Sequence, residues 1–459
     1  LILLPCKVQK KSGILLFCYE NKASMNNNRY LGILSGSIVV ILFLPLMQGF
    51  FGFWEEAPLA GAFEQKEAVD WSIESWLSGE YQEAIDAHLR QQFGGGTWAV
   101  RWHNQYLYSG LGMATNSSLV LGKEGYIFEQ LYIDAIEGKD YVGDAALQLT
   151  ADYLAFVQQK MAERGQLLVT VLAPNKASYY PDYLPEGVQI EEVVTNYKVL
   201  RQKLKAQQVN VLDVEAWFSE ARATSQYPLF PAYGTHWSVY GMALFVDSLV
   251  QYIGDKTNRP VAQLVIDSLW MSTELRAPDN DLGELLNIAC PLPPVAMPYY
   301  KAHFELKEQT FRPRLLAIGD SFWGTYSFGE HLSKACFTQP EYWYYYKTMF
   351  PLGRVREEND RAAFDQQDVI LIEVTTGNIP NFGWGALSDL RNHYNTIDNI
   401  YVQRMEQKIR NSAAWMATIA AKATQRGVSI DEMITLDAQY MVQEELKLAA
   451  KERLDACAE

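Results

Sequence analysis

Two short stretches bring together residue types that can do covalent chemistry. The first, Ile318-Gly319-Asp320-Ser321-Phe322, closes the apolar run RLLAIGD (314–320). A Gly-Asp-Ser turn at the end of a strand exposes the Ser321 hydroxyl above a sheet. A helix starting there aims its unpaired N–H groups at any oxyanion formed on an attacked carbonyl. A bare serine is a weak nucleophile and needs a base. The second stretch, Tyr233-Gly234-Thr235-His236-Trp237-Ser238, offers one. Of the six histidines, only His236 sits in a Gly-punctuated loop directly before an apolar helix. Alone, a Gly-Asp-Ser is an ordinary turn and a loop histidine an ordinary polar residue. Together, on an alternating strand and helix pattern, they point to a Ser–His pair.

The elements that must position this pair are legible as periodicity. LLVTVLAP (167–174), VNVLDV (209–214), RLLAIGD (314–320) and DVILIEV (368–374) are short, β-rich apolar runs, the pattern of strands buried on both faces. Helical spacing covers 145–164, 191–207 and 239–253, the last with Ser238 as N-cap. Amphipathic spacing also covers 63–92, and LVLG (119–122) with YIF (126–128) reads as a hairpin. Strands alternating with helices predict a three-layer α/β domain with a mainly parallel sheet over 60–385. Beyond it, 386–459 is rich in Ala, Lys, Glu, Gln and Met and reads as a tail of two or three helices.

Charge divides the chain. Its 459 residues carry a net charge of −15, which disfavours binding to nucleic acid. Residues 1–29 hold five basic residues against one acidic, a net +4, leaving −19 on the rest. Between them Leu31–Phe53 has no charged residue. As a helix it reaches about 34 Å, enough for a bilayer core of about 30 Å. Basic residues before it and Glu55-Glu56 after it predict an uncleaved anchor, with 1–30 in the cytoplasm and the body outside. A cleaved signal peptide is the rival. Met25 opens MNNNRYLGI, a more natural start, so 1–24 read as upstream sequence. The five cysteines show no metal-ligand spacing, and Cys290 and Cys336 read either as a pair or as two buried thiols.

The pair GTHWS (234–238) and GDSF (319–322) resembles the motifs of the AlgJ/AlgX-type alginate O-acetyltransferases, an SGNH-hydrolase-like family of envelope proteins. Lys123-Glu124-Gly125-Tyr126-Ile127-Phe128 is similar to the family's GKDGWLF hairpin. Ala173-Pro174-Asn175-Lys176-Ala177 with Tyr180-Pro181 is similar to its PNKA…YP segment. Asp281-Leu282-Gly283-Glu284-Leu285-Leu286-Asn287 is similar to the segment before its serine strand. The resemblance implies transfer of acetyl groups to an envelope or secreted polysaccharide. Ser321 would carry the acetyl as an ester, and His236 would be the base. The backbone N–H of Ser321 would help hold the oxyanion. It also implies no bound cofactor, an acetyl donor supplied by a multipass membrane O-acyltransferase, and a single-pass inner-membrane setting with the catalytic domain in the periplasm. The acidity of the body makes a neutral or mixed glycan at least as natural an acceptor as a highly anionic one.

One position departs from the family pattern. Its histidine motif is typically Asp-Thr-His, and Gly234 stands where that Asp would orient the imidazole. Asp213 and Glu373, each near a strand end, are topologically possible replacements. A Ser–His dyad or a weakened site are the other outcomes. Asp320 reads as a brace of the nucleophile turn. Asn175, and similarly Asn378, read as oxyanion donors or as loop caps. Trp237, Trp323 and Tyr326 flank the motifs, and either stack on sugar rings or fill the core. Arg354, Arg356 and Arg361 either contact acidic sugars or form a solvated face. A carbohydrate acetylesterase would use the same Ser and His. A non-catalytic glycan-binding subunit of a polysaccharide modification or export complex would need neither.

Overall fold

A computed structural model describes residues 13–61, 70–92, 94–190, 192–324 and 333–456. The chain falls into two compact units, Leu1–Leu111 with Asn287–Pro291, and Gly112–Leu286 with Leu292–Glu459.

The first unit is helical: α1 (Gly13–Phe51), α2 (Ile73–Ser78), α3 (Glu80–Gln92) and α4 (Gly96–Tyr106). Within α1, Arg29–Gly49 is an apolar stretch of 21 residues with mean hydropathy 2.2 and no buried share, long enough to cross a bilayer core. The helical spacing expected over 63–92 appears from Ile73. It breaks at Gly79, a left-handed C-cap (φ 88°) that separates α2 from α3. The start of that expectation, 63–69, lies outside the described residues.

In the second unit the strands β1 (Leu119–Leu121) and β2 (Ile127–Glu129) form the expected hairpin. There follow α5 (Gln130–Ile136), α6 (Asp144–Ala162), β3 (Leu167–Ala173), α7 (Lys176–Tyr179), α8 (Asn196–Ala206), β4 (Val211–Asp213), α9 (Val214–Ala221) and α10 (Val239–Thr257). Next come β5 (Gln263–Ser272), α11 (Asp281–Leu285), β6 (Met297–Glu305), β7 (Arg314–Gly319), α12 (Ser333–Cys336), β8 (Thr338–Tyr344), β9 (Thr348–Phe350), β10 (Arg354–Val355) and β11 (Val369–Thr375). The helices α13 (Ala386–Asn411), α14 (Ala413–Arg426) and α15 (Ile430–Ala456) end the chain.

The four apolar runs form β3, β4, β7 and β11; β3, β7 and β11 are buried on both faces as expected, whereas β4, at the sheet edge, is only half-buried. With β8 these four form the parallel part of a seven-stranded sheet of order β10-β9-β8-β7-β11-β3-β4, whose two outer strands β9 and β10 turn antiparallel. Alternation along each strand feeds two cores. Leu315 and Ala317 of β7 face one side with Val169 and Val171 of β3, packed by α9 and α10. Leu316 and Ile318 face the other with Leu168 and Leu172, packed by α6, α8 and the start of α13. Each fully buried Val, Leu or Phe here contributes about 1.5–3 kcal/mol over leaving it exposed. The expected three-layer α/β arrangement with a mainly parallel sheet is therefore present. The sheet's periphery was not expected: a long antiparallel hairpin of β5 and β6, which packs on α10, and the β8–β10 edge.

Ser238 caps α10 by accepting the Gly241 N–H (3.0 Å), so the loop carrying His236 ends at a fixed point. The C-terminal tail packs in two parts. Leu387, Leu390 and Tyr394 of α13 join the sheet's core, while Met405, Ile409, Ile419, Ile434 and Val442 make a separate small core among α13, α14 and α15. Cys290 and Cys336 are both free thiols, so the possible pairing is not made.

Glu215 on α9 is buried and accepts the Asn175 N–H (2.6 Å) and the Ser178 hydroxyl. Burial pushes its carboxyl up to about 7. A folded-state value above the unfolded one gives stability that is complete below about 4.5 and lost as pH rises through about 7. Thermal unfolding scans of Glu215→Gln between pH 4.5 and 8 should therefore fall less steeply with pH than those of the parent. Parallel pH profiles would contradict the assignment.

Candidate active site

The Ser321 turn is built from the sheet outward. Gly319 ends β7 so close to β11 that a Cβ there would lie 2.5 Å from Glu373 Oε2. The Asp320 N–H donates to that same oxygen (3.1 Å). Asp320, fully buried, then takes four donors. Phe322 N–H reaches Oδ1 (3.0 Å), while Thr375 N–H (3.0 Å), Thr375 Oγ1 (2.7 Å) and Asn378 Nδ2 (2.8 Å) reach Oδ2. Its carbonyl accepts the Tyr342 hydroxyl (2.6 Å). Asp320 thus clamps the turn to the end of β11, as its motif position suggests. The four described residues after it, Ser321–Gly324, form a turn. The helix expected next falls on 325–332, outside the described residues.

The His236 loop reaches this turn from the other side. His236 Nε2 lies 2.9 Å from Ser321 Oγ, with the imidazole against the Phe322 ring (4.8 Å). His236 Nδ1 lies 2.6 Å from Asp281 Oδ2. Asp281 is the first residue of α11. Its other oxygen accepts the N–H groups of Thr235 and Leu282 (both 2.8 Å). The Gly283 N–H donates to the Tyr233 carbonyl (2.9 Å), so the two loops are joined at a second point just before the histidine. A Ser–His–Asp chain of hydrogen bonds results, with the carboxylate set to hold one imidazole tautomer.

Beneath the loop, the buried Lys176 ammonium donates to the carbonyls of Ile127 (2.6 Å), Ala232 (2.8 Å) and Gly234 (2.6 Å). Three donors meet three acceptors, which suits the protonated form. Burial pulls the Lys176 ammonium down to about 7, while the charges of Asp281 and Glu129 oppose that shift. Glu129 accepts the Thr235 hydroxyl, and burial raises its carboxyl above the usual range. Lys176, Glu129 and Asp281 together fix residues 232–236.

The geometry removes two expected candidates for the third member, Asp213 and Glu373, and selects the structural alternative for several other residues. Asp213 caps α9 through the Ala216 N–H (3.0 Å) and binds Arg201 (2.5 Å) and Tyr197 (2.9 Å), so it is engaged in structure rather than with His236. Glu373 lies behind the nucleophile turn, where burial and then the Asp320 charge hold its carboxyl well above the usual range. It cannot act as the imidazole's anion there. Asn175 is fully buried. It accepts the Ala177 N–H (2.7 Å) and donates to the Tyr132 carbonyl (3.0 Å), which makes it a cap. Asn378 spends its donor on Asp320 and Thr375 Oγ1. Trp237 and Trp323 are buried among Phe245 and Phe322 and present no face to a sugar. Tyr326 lies outside the described residues. Arg354 pairs with Asp360, and Arg356 and Arg361 with Asp389, so these arginines are already engaged. The carboxylate that serves His236 is Asp281, which no motif in the sequence marks as its partner. It stands at the head of the DLGELLN segment, whose similarity to the family's segment before the serine strand was the one signal in the sequence.

Gly234 explains why the acid comes from elsewhere. A Cβ at this position would lie 2.4 Å from the Pro278 carbonyl oxygen and 2.7 Å from Pro231 Cγ. The backbone of 278–279, which leads into Asp281, fills the space that a side chain at 234 would need.

Comparisons with known proteins give one family match and several similar structures. Residues 119–336 match the family model described as SGNH hydrolase-like domain, acetyltransferase AlgX. That span includes the β1–β2 hairpin, the His236 loop, Asp281 and the Ser321 turn, and bears out the resemblance read from the motifs. Similar solved structures include the O-acetyltransferase domain of Pseudomonas putida AlgJ, at 17% identity, 60% of this chain, 99% of that chain and TM-score 0.39. Pseudomonas aeruginosa AlgX matches at 14% identity, 64% of this chain, 70% of that chain and TM-score 0.41. Bacillus cereus PatB1 matches at 11% identity, 57% of this chain, 96% of that chain and TM-score 0.36. No curated protein matches the sequence.

The crowding at Gly234 yields a direct expectation. Gly234→Asp, which would restore the family's motif in sequence, should destabilise the second unit by about 1–3 kcal/mol in thermal unfolding, because the clash is with backbone. An unchanged melting temperature would show that the loop has room for a second acid.

Proposed function

We propose, from an AlgX-type SGNH domain carrying a Ser–His–Asp chain, that this protein is an extracytoplasmic O-acetyltransferase acting on an envelope or secreted polysaccharide. The observation that carries the reading is the alignment of Ser321 Oγ, His236 and Asp281 at 2.9 and 2.6 Å. His236 Nε2 takes the Ser321 proton as Oγ attacks the donor's acetyl carbonyl. The Ser321 N–H donates to the oxyanion, and collapse expels the donor group, which leaves with the proton from His236. The acetyl-serine ester is then attacked by a sugar hydroxyl. His236 removes that hydroxyl's proton and returns it to Ser321 as the sugar acetate departs. Asp281 holds the Nδ1–H and stabilises the imidazolium in both halves.

The apolar stretch of α1 suits a single-pass anchor in the inner membrane, with the domain in the periplasm. In this reading the protein needs no cofactor, and a multipass membrane O-acyltransferase passes acetyl groups outward to it. The scaffold alternative rested on the missing acid of the His motif, and Asp281 supplies a carboxylate at that place. The esterase alternative shares every residue of the site and differs only in whether water or a sugar accepts the acetyl.

Incubation of the full chain with a chromogenic acetate and oligosaccharide acceptors, followed by mass spectrometry, should give a +42 Da peptide containing Ser321 and acetylated sugar, a shift that is about one acetyl group. Ser321→Ala should lose both products by at least about 10³-fold while remaining folded. Free acetate without sugar product would assign an esterase, and retained sugar acetylation in Ser321→Ala would overturn the serine mechanism.

A further inference from the structure

The strand β8 lies beside β7, and its carboxyl end projects on the same side as the nucleophile turn. Tyr344 pairs in register with Gly319, and the Tyr345 N–H donates to the Gly319 carbonyl (2.9 Å). The turn from Tyr344 to Lys347 is closed by the Lys347 N–H on the Tyr344 carbonyl (2.9 Å). Its two central residues, Tyr345 and Tyr346, both have positive φ (49° and 56°). Such a backbone is ordinarily filled by Asn-Gly, because a bulky side chain is strained there. Two successive tyrosines are among the least suited residues for it.

Tyr346 has a structural reason to be there. It is buried, its hydroxyl donates to Asp389 (2.8 Å), and Arg356 lies over its ring (3.9 Å). Tyr345 has no comparable reason: it is 36% exposed. Its ring rests on Tyr344 (4.2 Å between centroids, 33°) and on the edge of Trp384 (4.9 Å, 66°). Trp384, from the segment after β11, also has positive φ (47°) and is half-buried. The backbone hydrogen bond to Gly319, two residues before Ser321, holds Tyr345 beside the nucleophile turn. Beyond Trp384 opens a groove of about 480 Å³ lined by Thr150, Asn381, Phe382 and Trp384 among others. Strain that burial does not offset is a sign of function.

We propose that Tyr345 and Trp384 form a stacking subsite for a hexopyranose ring of the acceptor glycan, leading from the groove to Ser321. Aromatic faces bind the C–H face of a pyranose, while the phenol and the flanking Thr150 and Asn381 offer hydrogen bonds to its hydroxyls. The ring faces are shared by neutral and uronate glycans, so the shared chemistry is the pyranose face rather than its charge. This inference rests on the reading of the protein as a glycan acetyltransferase, but binding can be measured without turnover.

The test uses full-length Ser321→Ala protein in detergent, titrated with cellohexaose and with a mannuronate hexasaccharide by calorimetry. At least one should bind. Tyr345→Asn, which suits positive φ, should weaken that binding about tenfold while leaving the melting temperature equal or higher. Tyr345→Phe should keep the binding. Separately, the KM for acceptor in the Ser321 protein should rise in Tyr345→Asn more than kcat falls. Binding by neither hexasaccharide, or undiminished binding in Tyr345→Asn, would overturn the subsite and leave acetyl transfer to Ser321 to be judged on its own. A lowered melting temperature in Tyr345→Asn would show that the tyrosine is structural, which also overturns the proposal.

Discussion

The short hydrogen bond between Asp281 and His236 is the constraint around which the site is organised. A neutral imidazole can accept the Ser321 proton at Nε2 only if its other nitrogen carries the hydrogen, and Asp281 fixes that tautomer. The bond forms because the segment entering α11 runs against residues 233–235, with Thr235 and Leu282 donating to one oxygen and leaving the other for His236. Gly234 is the concession that allows this approach, since no side chain fits between it and Pro278. The acid therefore moves from the residue two before the histidine to a helix start 45 positions away.

On the opposite side, Asp320 does for the serine what Asp281 does for the histidine. Its carboxylate collects donors from Phe322, Thr375 and Asn378, so the nucleophile turn is held to the neighbouring strand by charge-assisted bonds in a dry environment. Glu373 beneath it is buried and best kept protonated, because two adjacent anions in that space would repel. Lys176 supplies positive charge on the histidine side and binds three carbonyls at once. The site is thus a pair of rigid loops, each anchored by one buried charged residue, meeting over the end of a parallel sheet.

Much of this was legible in the sequence, for physical reasons that differ by element. Strands β3, β7 and β11 are buried on both faces, so they read as unbroken apolar runs whose ends fall within a residue or two of the observed ones. The β5–β6 hairpin and the β8–β10 edge are half-exposed, mix polar and aromatic residues, and gave no comparable run. Ser321 and His236 stand in glycine-marked turns beside those clear elements and were readable as a pair. Asp281 was not assigned, because which of many carboxylates reaches an imidazole depends on loop packing that no local pattern encodes. For the aromatics, the core-filling alternative holds. Trp237 and Trp323 flank the motifs in sequence but point into the core, whereas Tyr345 is distinguished by a backbone angle that residue type alone does not reveal.

The claim on which the account depends is that Asp281, rather than Asp213 or Glu373, completes the site. The most direct measurement is the rate at which a fluorophosphonate labels Ser321 in Asp281→Asn, Asp213→Asn and Glu373→Gln, each checked for folding. The account predicts that labelling in Asp281→Asn falls by about 10³–10⁴-fold, near the level of His236→Ala, while Asp213→Asn labels within a few-fold of the parent. Undiminished labelling in Asp281→Asn, or a loss confined to Asp213→Asn or Glu373→Gln, would contradict it.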